Sequence, residues 1–100
     1  MLVTKEKNNG SLLVTISGHL DTNTAPQLEA EINPELAGVT DLKLEIKDLE
    51  YISSAGLRVL LMLHKAVTVM GGQFTVLHPC DEVMEILDMT GFSSFLNIEE

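Results

Sequence analysis

The sequence predicts a single α/β domain over residues 1–100, in which helices pack on a mixed sheet of four or five strands. Three observations predict this class. A hairpin signal at Asn9–Gly10 separates two strand-like segments, strand and helix patterns then alternate along the chain, and 45% of the residues are apolar. Strands that alternate with helices need crossover connections, which give a largely parallel or mixed sheet covered by helices.

The first two predicted elements are strands over Leu2–Lys7 and Ser11–Ser17. The second strand places apolar residues at every other position, so that one of its faces is fully apolar. We expect Gly18 to end this strand and His19–Asp21 to form a loop or a short extension.

The first helix is predicted to begin after residues 22–24 (Thr, Asn, Thr), because each of these side chains is a capable N-cap. Pro26 fits the first turn of a helix. We expect the helix to end near Asn33, because Pro34 disfavours a helical conformation in the residue before it.

The second half of the chain alternates strands and helices. The period-2 pattern of Leu42–Ile46 predicts a half-buried strand, and Ser54–Met70 is the most apolar predicted helix. Gln73–Leu77 is predicted as a strand, and a last helix, capped by Asp81, is expected to end at Thr90–Gly91. Phe95–Ile98 is expected to be a short final strand or tail.

Charge and composition exclude several classes of partner. Fifteen acidic residues against six basic ones give a net charge of −9. Such a charge repels phosphate backbones and anionic lipids, so we expect no direct binding to nucleic acid or to a membrane surface. No apolar run reaches the ~18 residues that a membrane span needs, so we expect no membrane insertion. The acidity itself indicates either solubility or a basic partner. With one cysteine, Cys80, and no secretory leader at the start, a cytoplasmic protein is expected.

The start of the second predicted helix is the most informative segment. Free backbone N–H groups and the positive end of the helix dipole gather around Ser53 and Ser54, a place that suits a serine cap or a phosphate. Gly56 costs about 1 kcal/mol relative to Ala inside a helix, so something is expected to approach the backbone there, either another helix or a partner. An ordinary N-cap serine is the simpler interpretation of this segment.

Three segments in register carry a family resemblance. Ile52–Leu57 (Ile-Ser-Ser-Ala-Gly-Leu) resembles the Asp-Ser-Ser/Thr-Gly-Leu signature of bacterial anti-sigma factor antagonists, which are STAS domain proteins. Gly18–Asp21 is similar to the family's Gly-x-Leu-Asp loop, and Leu87–Phe92 to its Asp-Met-Ser/Thr-Gly segment. The resemblance implies a STAS domain over residues 1–100, without the additional C-terminal helix of the family.

The resemblance also implies a function. In this family the unphosphorylated protein binds an anti-sigma factor that is a serine kinase, and this binding frees a sigma factor. The kinase phosphorylates the first serine of the signature, the complex dissociates, and a phosphoserine phosphatase resets the protein. Aligned on Gly56 and Leu57, the modified residue is Ser54, with Ser53 as the alternative. The chain is then a binding protein, not an enzyme, and needs no cofactor.

The implied partner-binding residues lie in two segments, namely Asp21, Thr22, Asn23, Ser53, Ala55, Gly56 and Arg58. The simpler interpretation of Asp21 is a loop residue that caps the next helix. The signature departs from the family at two positions, because Ser53 replaces an Asp found in many members and Ala55 replaces the second Ser/Thr. Whether Ser54, Ser53 or neither is modified stays open at this point.

Two other functions are weighed against this one. A non-switching STAS scaffold, such as a subunit of a lipid-transport ATPase or of another transporter complex, fits the same fold. A small enzyme or nucleotide-binding domain is disfavoured, because the chain carries no general-base constellation, phosphate loop or clustered metal ligands. His19, His64 and His78 are dispersed, so no metal site is predicted. The apolar surplus of the second helix predicts either tight burial or a partner surface.

Overall fold

The computed structural model describes residues 1–100 and contains one five-stranded sheet whose spatial order follows the chain. Strand β1 (Leu2–Asn8) pairs antiparallel with β2 (Ser11–Leu20). Strands β3 (Asp41–Ile52), β4 (Gln73–Leu77) and β5 (Asn97–Glu99) then follow in parallel, each beside the strand before it. The predicted α/β domain with a mixed sheet of four or five strands is confirmed.

Three α-helices make the crossovers between the parallel strands: α1 (Ala25–Ile32), α2 (Ser54–Val69) and α3 (Asp81–Met89). Two short 3₁₀ turns, Asn33–Glu35 and Phe92–Ser94, follow α1 and α3. Helix α2 is the longest, with 16 residues, as its start and stop signals predict. None of the helices combines the length and the apolarity needed to cross a membrane.

The core lies between the sheet and its helices and contains 23 buried apolar residues. The alternating apolar residues of β2 and β3 form its floor, with Leu12, Val14, Ile16, Leu42, Leu44 and Ile46 at 0–1% exposure. Helix α2 adds Leu57, Val59, Leu60, Leu63 and Val67. Full burial of one such side chain stabilises the fold by about 1.5–3 kcal/mol, so this layer fixes the position of α2 on the sheet.

The apolar residues of α2 that lie outside its core-facing side differ in exposure. Leu61, Met62 and Ala66 are half-buried, whereas Val69 is 87% exposed at the end of the helix. Burial therefore accounts for most of the surplus, and the partner-surface alternative concerns only the partly exposed residues.

The structure corrects the predicted ends of the two central strands. Strand β2 passes through Gly18 and ends at Leu20, and β3 continues past Ile46 to Ile52. Register shifts between Thr15 and Ser17 and between Gly18 and His19 keep the strands paired, and Gly18 adopts a φ of 89° that favours glycine. Of the two alternatives expected for His19–Asp21, a loop or a short extension, the extension is therefore correct up to Leu20.

Two smaller expectations also change. Asp81 is the first residue of α3 and not its cap; Cys80 occupies the N-cap position without a side-chain cap hydrogen bond. The last strand begins at Asn97 because the preceding residues form the 3₁₀ turn Phe92–Ser94. The predicted hairpin is confirmed, with Asn8 opposite Ser11.

Candidate partner-binding and modification site

The site forms where β2 and β3 end side by side. Leu20 and Ile52 are register partners, and because the two strands are parallel, the chain leaves both at the same edge of the sheet. The N–H of Ser53 donates to the Leu20 carbonyl at 2.9 Å, which ties the start of α2 to the loop that begins at Asp21. The two segments that the sequence singled out are thus neighbours.

Gly56 explains how closely α2 packs on these strand ends. A Cβ at Gly56 would lie 2.7 Å from Cγ1 of Ile52, 2.8 Å from Cγ of Leu20 and 2.9 Å from the Leu20 carbonyl oxygen. The expected close approach therefore comes from two strands of the same chain. The alternatives considered from the sequence, another helix or a partner, are not what fills this space.

Ser53 is the N-cap of α2. Its backbone is extended (φ −97°, ψ 178°), its hydroxyl accepts a hydrogen bond from the Gly56 N–H at 3.4 Å, and its carbonyl accepts one from Leu57 at 2.9 Å. These contacts are those of an ordinary serine cap, worth about 1 kcal/mol. The Ser53 hydroxyl is half-buried and already committed to the helix.

Ser54 differs from its neighbour in both respects. It is the first residue of α2, it is exposed, and its hydroxyl makes no hydrogen bond within the chain. The two adjacent serines therefore have different environments, since one caps the helix and the other has an exposed hydroxyl without a hydrogen bond.

Asp21 organises the loop opposite Ser53. Its Oδ1 accepts hydrogen bonds from the N–H of Asn23 at 2.9 Å and of Thr24 at 3.1 Å, just before α1 begins. The pKa of the Asp21 carboxyl is lowered, chiefly by the hydrogen bond from the Thr24 N–H. Desolvation acts in the opposite direction, and the Asn23 N–H, the Thr24 hydroxyl and the nearby His19 lower the pKa further. The N-cap of α1 is Thr24, without a side-chain cap hydrogen bond, so Asp21 stabilises the turn before the helix and is not its cap.

The remaining site residues differ in their exposure. Thr22, Asn23 and Arg58 are exposed, whereas Ala55 is half-buried against the core and Gly56 is buried. Arg58 lies one helical turn beyond Ser54 and makes neither an ion pair nor a hydrogen bond. The structure brings all the sequence-predicted site residues to one edge of the sheet, and their contact with a partner stays a prediction.

Tyr51 and His19 belong to the same edge but were not among the predicted site residues. Tyr51 is 47% exposed, and its ring meets that of His19 edge to face with a centroid distance of 6.1 Å. The His19 Nε2 atom lies 3.8 Å from Oε1 of Glu50. The sequence signal for this pair was Tyr51 itself, an aromatic residue three positions before the first residue of α2. It was missed because β3 was predicted to end at Ile46, which left Tyr51 outside the strand.

Other chemistry-bearing side chains lie elsewhere and have partners of their own. His78 Nδ1 lies 2.8 Å from Oε1 of Glu45, and the Cys80 thiol donates to the Leu49 carbonyl at 3.3 Å. No group of three or more His, Cys, Asp or Glu side chains is arranged to hold a metal ion. His78 and Cys80 therefore do not form a nucleophile and base pair.

Comparison with known proteins gives consistent results. The family model described as STAS domain matches residues 3–100. BtrV of Bordetella bronchiseptica, provisionally named an anti-sigma factor antagonist, is 32% identical over 99 residues, which cover 98% of this chain and 85% of BtrV. The anti-sigma-B factor antagonist of Bacillus subtilis is 28% identical over 93 residues, which cover 93% of this chain and 85% of that protein.

A solved structure shares the whole architecture. The crystal structure of TM1081 from Thermotoga maritima, provisionally described as an anti-sigma factor antagonist, superposes with a TM-score of 0.91. The match covers 98% of this chain and 86% of TM1081 at 20% sequence identity. At that identity the likeness shows a common fold.

Proposed function

The chain belongs to the STAS domain family, and we propose that it is an anti-sigma factor antagonist switched by phosphorylation of Ser54. In this proposal the unmodified protein binds an anti-sigma factor that is a serine kinase, and the modified protein is released. A phosphoserine phosphatase then restores the binding form. The names of the relatives from Bordetella bronchiseptica and Bacillus subtilis support the antagonist function.

The observation that carries the proposal is the difference between the two adjacent serines. A kinase needs a hydroxyl that reaches its active site, and the exposed hydroxyl of Ser54 is free of hydrogen bonds. The Ser53 hydroxyl instead accepts from the Gly56 N–H, so its modification would cost the helix its cap. The family resemblance and the local geometry thus favour the same residue.

In this proposal the kinase and the phosphatase supply the catalytic groups, and this chain is their substrate. The γ-phosphoryl group of ATP passes to Oγ of Ser54, the hydroxyl proton leaves to a base of the kinase, and ADP is the leaving group. In the reset, the phosphatase transfers the phosphoryl group to water. The chain is the substrate in both steps, and its contribution is to hold the serine at an accessible helix start.

Release follows from the relative size of two electrostatic effects. In the free protein a dianionic phosphate at the start of α2 faces the helix dipole, which stabilises it by about 0.3–1 kcal/mol. In the complex the same charge must be desolvated, which costs several kcal/mol when no basic group of the partner is matched to it. The second effect is larger, so phosphorylation disfavours the complex.

The test is ATP-dependent release from the cognate anti-sigma factor kinase, measured by biolayer interferometry. Wild type should dissociate after ATP addition, Ser54→Ala should stay bound, and Ser54→Asp should bind more than about 100-fold more weakly, which corresponds to ~3 kcal/mol. Ser53→Ala is the matched control and should still be released. Release of Ser54→Ala would contradict the proposal, and absence of any modification would make the chain a non-switching STAS scaffold.

A further inference from the structure

Arg58 is the only strongly basic side chain near the site. No Lys or Arg lies between residues 8 and 42, and Arg58 is the only one between residues 48 and 64. The other bases lie elsewhere, and three are engaged: Lys5 pairs with Glu31 at 3.2 Å, Lys43 pairs with Asp41 at 3.9 Å, and Lys7 donates to the Glu35 carbonyl at 3.1 Å. In a chain with a net charge of −9, an unpaired guanidinium at this place needs an explanation.

The helix places Arg58 on the same side of α2 as Ser54. Residues four apart on a helix face the same side, with about 5–6 Å between their Cβ atoms, and both Ser54 and Arg58 are exposed. The order also matters, because an anion that precedes a cation by four residues is the more favourable arrangement. Arg58 forms no ion pair with Asp21, whose Oδ1 accepts from the N–H groups of Asn23 and Thr24.

We infer that Arg58 binds the phosphate on Ser54 within α2, an inference that rests on the proposed modification of that serine. A guanidinium donates two parallel N–H groups to phosphate oxygens, a geometry that Arg supplies and Lys does not. In the unmodified protein Arg58 is free to contact a partner. Phosphorylation then changes the surface twice, because it adds a dianion and withdraws the one strong base of the site.

Several charged groups share the neighbourhood of the phosphate. The Asp21 carboxylate on the opposite loop acts against the phosphate, as does Glu50 near the end of β3, whereas a protonated His19 acts in its favour. These groups stay in place when only Arg58 is changed. The difference between wild type and an Arg58 variant therefore isolates the contribution of the guanidinium.

The test measures the second ionisation of the phosphate by phosphorus NMR, with phosphoserine incorporated at position 54 during translation. Arg58→Gln should raise the second pKa of the phosphate, ordinarily about 6, by about 0.2–0.7 unit. Arg58→Lys should fall between wild type and Arg58→Gln. Lys65→Gln is the matched control, because Lys65 is an exposed cation on the same helix about three turns after Ser54. This substitution should leave the pKa of the phosphate unchanged.

The outcome separates this inference from the proposed function. An equal phosphate pKa in wild type and Arg58→Gln, at equal thermal stability, would overturn the role of Arg58 and leave the switch intact. An equal rise in Arg58→Gln and Lys65→Gln would also overturn it, because the effect would then be the general charge of the helix. Failure of a cognate kinase to modify Ser54 would overturn the proposed function, whatever the NMR titration shows.

Discussion

Helices α2 and α3 both begin just after a parallel strand, yet their first turns are built differently. The first turn of α3 contains Asp81 and Glu82, so the positive end of its dipole faces carboxylates of its own chain. The first turn of α2 contains no acidic residue and is capped by the neutral Ser53. Of these two helices, only α2 has no carboxylate in its first turn, so an added phosphate at Ser54 would meet no acidic side chain there.

The second difference between the two helix starts is how tightly they are held. Helix α2 is pressed on the ends of β2 and β3 at Gly56, and its cap residue also donates to Leu20. Helix α3 has no side-chain cap hydrogen bond, and the thiol of its cap residue Cys80 bonds to the Leu49 carbonyl. The close packing at Gly56 and the hydrogen bond to Leu20 therefore position the backbone of Ser54 relative to the ends of β2 and β3.

The largest expected effect concerns this close packing. Replacing an ordinary helical glycine with alanine stabilises a protein by about 1 kcal/mol through helix propensity. The sign of the stability change therefore shows whether Gly56 is needed for close packing. Gly56→Ala should instead lower the free energy of unfolding by about 1–3 kcal/mol, because the Leu20 carbonyl at 2.9 Å belongs to the backbone and cannot turn aside. Urea denaturation measures it, and an unchanged or raised stability would contradict the packing argument.

The sequence was sufficient for the order of elements and for the hairpin, because turn residues and hydrophobic periodicity are local signals. It misplaced the ends of β2 and β3, because a strand that continues through a bulge at Gly18 looks like a strand that stops at a glycine. It predicted Ser54 as the modified residue through alignment on Gly56 and Leu57, with Ser53 as the alternative, but it could not show how their environments differ. That difference comes from the N-cap geometry, which depends on where β3 ends.

A smaller effect is expected from exchanging charge between the two helix starts. Ser54→Asp places an acid at the first position of α2 and should raise the stability of the free protein by about 0.3–1 kcal/mol. Asp81→Asn removes an acid from the first position of α3 and should lower stability by a similar amount. Thermal unfolding at low ionic strength measures both, and a loss of stability in Ser54→Asp would refute the argument that the free protein tolerates a phosphate.

The smallest effect concerns Asp21, whose carboxylate accepts hydrogen bonds in the turn before α1. Its pKa is lowered from 3.8 in the folded protein, so the ionised form stabilises the fold above that pH, and this contribution is lost as the pH falls through the folded pKa. The stability difference between wild type and Asp21→Asn should therefore be constant above about pH 5 and shrink below it. Urea denaturation of both proteins across this range checks it, and a difference that grows at low pH would have the wrong sign.

The central claim is that two adjacent serines divide the roles of helix cap and phosphoacceptor. The most direct measurement is mapping of the phosphate by fragmentation mass spectrometry after reaction of the wild-type protein with its cognate anti-sigma factor kinase and ATP. The account predicts that the phosphate lies on the exposed Ser54 and that Ser53, whose hydroxyl accepts from Gly56, stays unmodified. A phosphate on Ser53 would contradict it.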